Sequence, residues 1–74
     1  MTTLSKEEKA QIIASHKRSL EYSQYNLEID LLQENAKASP NASTISSINS
    51  QMSEIDDQIE ALDAELVKVN ALTA

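Results

Sequence analysis

Residues 45–69 read ISSINSQMSEIDDQIEALDAELVKV. Large apolar side chains recur in this stretch at alternating intervals of three and four residues. They are Ile45, Ile48, Met52, Ile55, Ile59, Leu62, Leu66 and Val69. Because this spacing keeps a single stripe of a helix apolar, it predicts a helix that packs lengthwise against at least one other helix. We call these eight residues the heptad stripe.

A second long helix is predicted upstream of the heptad stripe. Ser5 followed three residues later by Glu8 matches a capping box, which predicts that a helix begins at Lys6. The chain contains no glycine, and its single proline is Pro40, so nothing breaks this helix before the region of Lys37. We expect helix 1 to cover about residues 5–38.

The apolar residues of helix 1 fall on two nearly opposite faces. At about 100° per residue, one group clusters within about 40° and a second group within about 80°. Face A contains Ile13, Leu20, Leu27 and Leu31. Face B contains Tyr22, Tyr25, Ile29, Leu32 and Ala36. A helix that is apolar on two sides is usually placed between neighbours.

Pro40 predicts a turn at about residues 39–42, since its ring cannot continue a helix and disfavours helical backbone in the preceding residue. Helix 2 is then expected over about residues 43–72. Three residues could cap its start, namely Ser39 with Pro40 as the first helical residue, Asn41, or Ser43. The short connection makes the two helices antiparallel neighbours in a single domain, residues 1–74.

The turn position predicts which residues lie opposite each other. Opposed positions should have numbers that add to about 79, which places face A along the whole heptad stripe. Lys17 and Gln24 are the two poor fits in this register. In the rival register face B packs on helix 2. This register is worse, because the residues of helix 1 that precede Tyr22 on the same side are polar and would lie against the heptad stripe. The predicted fold is therefore an all-α, coiled-coil-like helical hairpin built on face A.

Composition restricts the classes of function. Twelve acidic residues against six basic ones give a formal net charge of −6, which disfavours general binding to phosphate groups. The sequence has no cysteine, no membrane-length apolar run and no signal-peptide pattern at its start. We therefore expect a protein of the cytoplasm, or of the host cell interior if it is viral, with no membrane partner.

No residue pattern predicts an enzyme. His16 is the only histidine, which argues against a His-based metal site and against a Ser-His-Asp relay. Asp56, Asp57, Glu60 and Asp63 lie outside the heptad stripe, where acidic side chains normally solvate a helix. Asn41 begins a glycosylation sequon, which we interpret as chance. We expect no catalytic residue, metal or cofactor.

Two functional hypotheses remain. The first is a non-enzymatic interaction or assembly module, in which face B of one hairpin binds a second copy or another protein, most simply as a homodimer forming a four-helix bundle. The alternative is a small regulator that binds nucleic acid through the basic end of helix 1. Its candidate residues are Lys6, Lys9, His16, Lys17 and Arg18. The small size would suit a viral, plasmid or bacterial accessory protein.

Overall fold

The computed structural model describes residues 3–72, and the remaining four residues of the predicted domain lie outside it. Two helices pack against each other, α1 (Lys6–Asn35) and α2 (Ala42–Asn70). The predicted two-helix hairpin is therefore confirmed. The molecule measures 57 × 18 × 15 Å, so it is a thin rod in which every part of the inter-helix contact lies close to solvent. Within residues 3–72, neither helix is long and apolar enough to cross a membrane.

Helix α1 begins with the predicted capping box. The Ser5 hydroxyl accepts a hydrogen bond from the Glu8 amide at 3.1 Å, and the Glu8 carboxylate accepts one from the Ser5 amide at 3.1 Å. The Ser5 backbone amide, and to a smaller extent the Ser5 hydroxyl, stabilise the charged Glu8 carboxylate and hold its pKa below the ordinary value. Glu7 and Glu8 also place negative charge in the first turn, where the helix dipole favours it.

Helix α1 ends at Asn35, three residues before the predicted boundary. Ala36 is the C-cap, and its amide donates to Leu32 O at 3.1 Å. Pro40 requires a connection rather than a helical turn, and the chain uses residues 36–41 for it. Asn41, one of the three predicted alternatives, is the cap of α2, since its side-chain oxygen accepts from the amides of Ser43 and Thr44.

The contact between the helices follows the predicted register to within one residue. Lys17 pairs with Asp63 and Gln24 with Asp56, so the residue numbers of both cross-helix pairs add to 80. Numbers that rise along α1 therefore fall along α2, which makes the helices antiparallel. Tyr22 and Tyr25 of face B point to solvent, 62% and 63% exposed. Face B therefore does not pack on α2, and the rival register is not adopted.

The residues of the predicted hairpin core are shielded from solvent, but few are fully covered. Three are buried, namely Ile13, Ile48 and Val69. The other eight are half-buried: Leu20, Leu27, Leu31, Met52, Ile55, Ile59, Leu62 and Leu66. Two helices shield a contact from two directions only, so water reaches the apolar stripe from both edges. A chain this small buries a modest fraction of its surface.

Candidate interaction surface

The two edges of the hairpin differ in chemistry. Along one edge, Lys17 Nζ lies 2.9 Å from Asp63 Oδ1, and the Gln24 amide donates to the Asp56 carboxylate. The hydrogen bond from Lys17 to Asp63, followed by the attraction between their charges, raises the pKa of Lys17 above its ordinary value. Lys17 and Gln24, which were poor fits to an apolar stripe, therefore link α1 to α2 from the rim of the contact.

The opposite edge is an open groove. Near the termini the groove is lined by Leu4, Ile12, Val69 and Leu72, and Leu4, Ile12 and Leu72 are 38–47% exposed. Farther along, His16 lies beside Leu20 and Leu62. Our sequence interpretation did not recognise the apolar end of this groove. The available signal was Ile12, which adjoins Ile13 of face A.

Glu34 occupies an unexpected position at the turn end of this edge. It is 4% exposed and lies next to Ile48 and Leu27. Lys37 Nζ lies 2.6 Å from Glu34 Oε2, yet that oxygen has no hydrogen-bond partner of good geometry within residues 3–72. The contact thus neutralises the charge without a directional bond. The sequence held a signal for this burial, since Leu27, Leu31 and Glu34 continue a heptad spacing.

Face B lies away from α2. Tyr22, Tyr25 and Leu32 are 62%, 63% and 66% exposed, Ala36 is exposed, and Ile29 is half-buried. Within residues 3–72, these side chains include three of the seven large apolar residues that are exposed. The remaining four are Leu4, Ile12 and Leu72 around the groove, and Val67 on α2. Face B is therefore the main apolar strip on the outer side of α1.

Arg18 extends face B by one helical turn. Its guanidinium carbon lies 4.9 Å from the centroid of the Tyr22 ring, and Nη1 lies 3.6 Å from Glu21 Oε1. The Arg18 side chain contacts its own helix because its position on α1 points toward face B, whereas Lys17 points toward α2.

The candidate residues for other chemistry do not converge. Within the described part of the chain, no three His, Asp or Glu side chains come together in a way that could hold a metal ion. Of the basic residues proposed for nucleic acid, Lys17 is paired with Asp63 and Arg18 with Glu21. The candidate residues that do share one exposed surface are the apolar and aromatic side chains of face B.

The fold defines an antiparallel two-helix hairpin with one outward apolar strip. No family model matches the chain, and neither does any curated protein or solved structure. Inferences about function therefore depend on the residues of the hairpin itself.

Proposed function

We propose that this protein is a non-enzymatic assembly module and that two hairpins associate through face B. The observation that carries the proposal is the exposure of Tyr22, Tyr25 and Leu32 on one side of one helix. Contiguous apolar strips on soluble proteins mark sites of interaction, and tyrosine is enriched among the residues that contribute most to binding.

The small size of the chain supports the same proposal. Short chains that lack disulfides and structural metals commonly gain stability by oligomerisation. This chain has no cysteine, and residues 3–72 contain no cluster of side chains that could hold a metal ion. Because faces A and B lie on nearly opposite sides of α1, association through face B would place the two α1 helices at the centre of a four-helix assembly whose helices lie side by side in one layer. Each α2 helix would then lie on the outside, held by its own heptad stripe.

The molecular mass in solution tests this proposal. Light scattering should show a rise from 8.2 kDa toward twice that mass as the concentration increases to high micromolar. Leu32→Asp should keep the mass at the monomer value and leave the helical circular dichroism unchanged, because Leu32 is 66% exposed in the hairpin. A charge in the strip would have to be desolvated in the dimer, which opposes association.

Val67→Asp is the matched control, since Val67 is 69% exposed but lies on α2. This variant should associate like the wild type. A wild-type mass that stays at 8.2 kDa throughout would overturn self-association. Equal loss of association in Leu32→Asp and Val67→Asp would overturn the assignment to face B.

A further inference from the structure

Face B has a spacing that reads the same in both directions. Together with Arg18, its members are separated by four, three, four, three and four residues. They are Arg18, Tyr22, Tyr25, Ile29, Leu32 and Ala36. The strip is therefore symmetric about position 27, so its spacing fits a second copy in either orientation and the charges along α1 decide between the two. We infer that the second copy lies antiparallel to the first, with α1 packed on α1 and Tyr22 opposite the partner's Leu32; this inference rests on the proposed self-association.

Antiparallel packing gives each large side chain a different neighbour. Tyr25 lies opposite the partner's Ile29, and Tyr22 opposite the partner's Leu32, so every ring meets an aliphatic side chain. The same contacts form twice, as a two-fold interface requires. Parallel packing would instead place Arg18 against the partner's Arg18, two like charges at close range.

The ends of α1 have complementary charge in this arrangement. The last turn of α1 contains no basic residue, although a cation is favoured at the negative end of a helix dipole. Antiparallel packing brings Arg18 opposite the partner's Ala36, which is the C-cap of that helix. Most of the Arg18 side chain is exposed, at 68%, so it can make this contact while it stays near Glu21, whose carboxylate lies 3.6 Å away.

The charges of the whole helix favour the same orientation. Residues 6–18 contain four cations and two acids, whereas residues 19–37 contain four acids and one cation. Antiparallel packing places the basic half of each α1 beside the acidic half of its partner. Glu28 opposes it, because this residue would lie near the two-fold axis and face the partner's Glu28. Glu28→Gln should therefore tighten the dimer.

The strip is short, so we expect the dimer to be weak. It extends over about 27 Å at 1.5 Å per residue. Only six residues of each copy lie on the strip, far fewer than the roughly 20 to 30 residues a side of a standard interface, so we expect a dissociation constant in the micromolar range or weaker. Experiments on this dimer accordingly need high micromolar protein.

Disulfide trapping tests the orientation, and the absence of native cysteine makes the background clean. Tyr22→Cys and Leu32→Cys are prepared separately, mixed and oxidised slowly, and the products are separated by mass. The mixture should form mainly the disulfide between the two variants. Each variant alone should form little, since the two copies of one site would be separated by about 15 Å along the helices, well beyond the reach of a disulfide. Ser50→Cys, at an exposed position on α2, measures bonds formed by random collision.

Each result has a separate meaning. Predominant self-disulfides of Tyr22→Cys would overturn the antiparallel orientation and leave self-association intact. Mixed disulfides no more abundant than those of Ser50→Cys, in samples that light scattering shows to be dimeric, would also overturn the inferred geometry. A wild-type chain that remains monomeric at high micromolar concentration would overturn the proposed function and the inferred orientation together.

Discussion

Lys17 Nζ lies 2.9 Å from Asp63 Oδ1, joining positions 46 residues apart in the sequence. The ion pair bridges α1 and α2 at the rim of an otherwise apolar contact. Together with the contact between Gln24 and Asp56, it places both helices in one register. Exposed ion pairs contribute little stability, so the main effect of this pair is to favour that register over alternatives.

The ion pair predicts a loss of stability at alkaline pH. The pKa of Lys17 is raised above its ordinary value of 10.5 in the folded chain, so its contribution is present below that pH and is lost as the pH rises through the folded pKa. Urea unfolding at pH 9 and pH 11 should therefore show a larger decrease for the wild type than for Asp63→Asn. Equal decreases would contradict a role for the pair.

The capping box at Ser5 predicts a specific cost for removing one hydroxyl. Ser5→Ala should lower the free energy of unfolding by about 1 kcal/mol, because the amide of Glu8 loses its partner. Thermal unfolding followed by circular dichroism measures the change. Ser50→Ala, in the middle of α2, is the control and should be neutral or slightly stabilising, since alanine is the better helix former. If Ser5→Ala lowers the free energy of unfolding no more than Ser50→Ala does, the cap does not stabilise the helix.

The same capping box predicts an acid-dependent loss of stability. The pKa of Glu8 is lowered in the folded chain, so its contribution is present above the ordinary value of 4.5 and is lost as the pH falls through the folded pKa. Between pH 5 and pH 3, the wild type should lose more stability than Glu8→Gln, which cannot titrate at this position. Parallel loss in the two proteins would contradict this prediction.

Ile48 and Leu32 should separate the fold from the proposed interface. Ile48 is 7% exposed in the contact between the helices, and Ile48→Ala should cost about 2 kcal/mol or more in the free energy of unfolding. Leu32 is 66% exposed, and Leu32→Ala should change the stability of the monomer by less than about 0.5 kcal/mol. Urea unfolding at low micromolar concentration provides the comparison. A large effect of Leu32→Ala there would mean that face B stabilises the isolated hairpin.

Replacing the buried Glu34 should stabilise the hairpin. Its carboxylate lies beside Ile48 with only the charge of Lys37 to offset its burial. Substituting apolar residues for buried ion pairs is often neutral or stabilising, so Glu34→Leu should raise the free energy of unfolding by about 1 kcal/mol. Glu60→Leu, at an exposed position on α2, is the control and should have little effect. A clear loss of stability in Glu34→Leu would mean that the carboxylate makes a favourable interaction.

Much of the hairpin follows from local patterns. The heptad stripe predicts how α2 packs, Ser5 and Glu8 predict where α1 begins, and Pro40 predicts the turn, because each effect operates within a few residues of the chain. The end of α1 was less predictable. No residue before Pro40 strictly forbids helix, so the path of the connection decided that α1 ends at Asn35.

For the candidate site, the sequence predicted which residues share a face of α1 but not whether that face is exposed. Periodicity alone groups Tyr22, Tyr25 and Leu32 on one side of α1, but it does not say whether that side is covered by α2. Packing decided the question, since face A occupies the heptad stripe and leaves face B in solvent. The burial of Glu34 and the apolar groove at Ile12 likewise depend on how the second helix covers the first.

The sequence by itself determined two long helices, the turn between them and their antiparallel order, because spacing, capping and proline act locally along the chain. Only the tertiary structure decided which side of α1 remains exposed, how Lys17 and Arg18 diverge, and that Glu34 is buried. The physical reason is that helical periodicity fixes which residues share a face, whereas burial depends on the neighbour that covers that face.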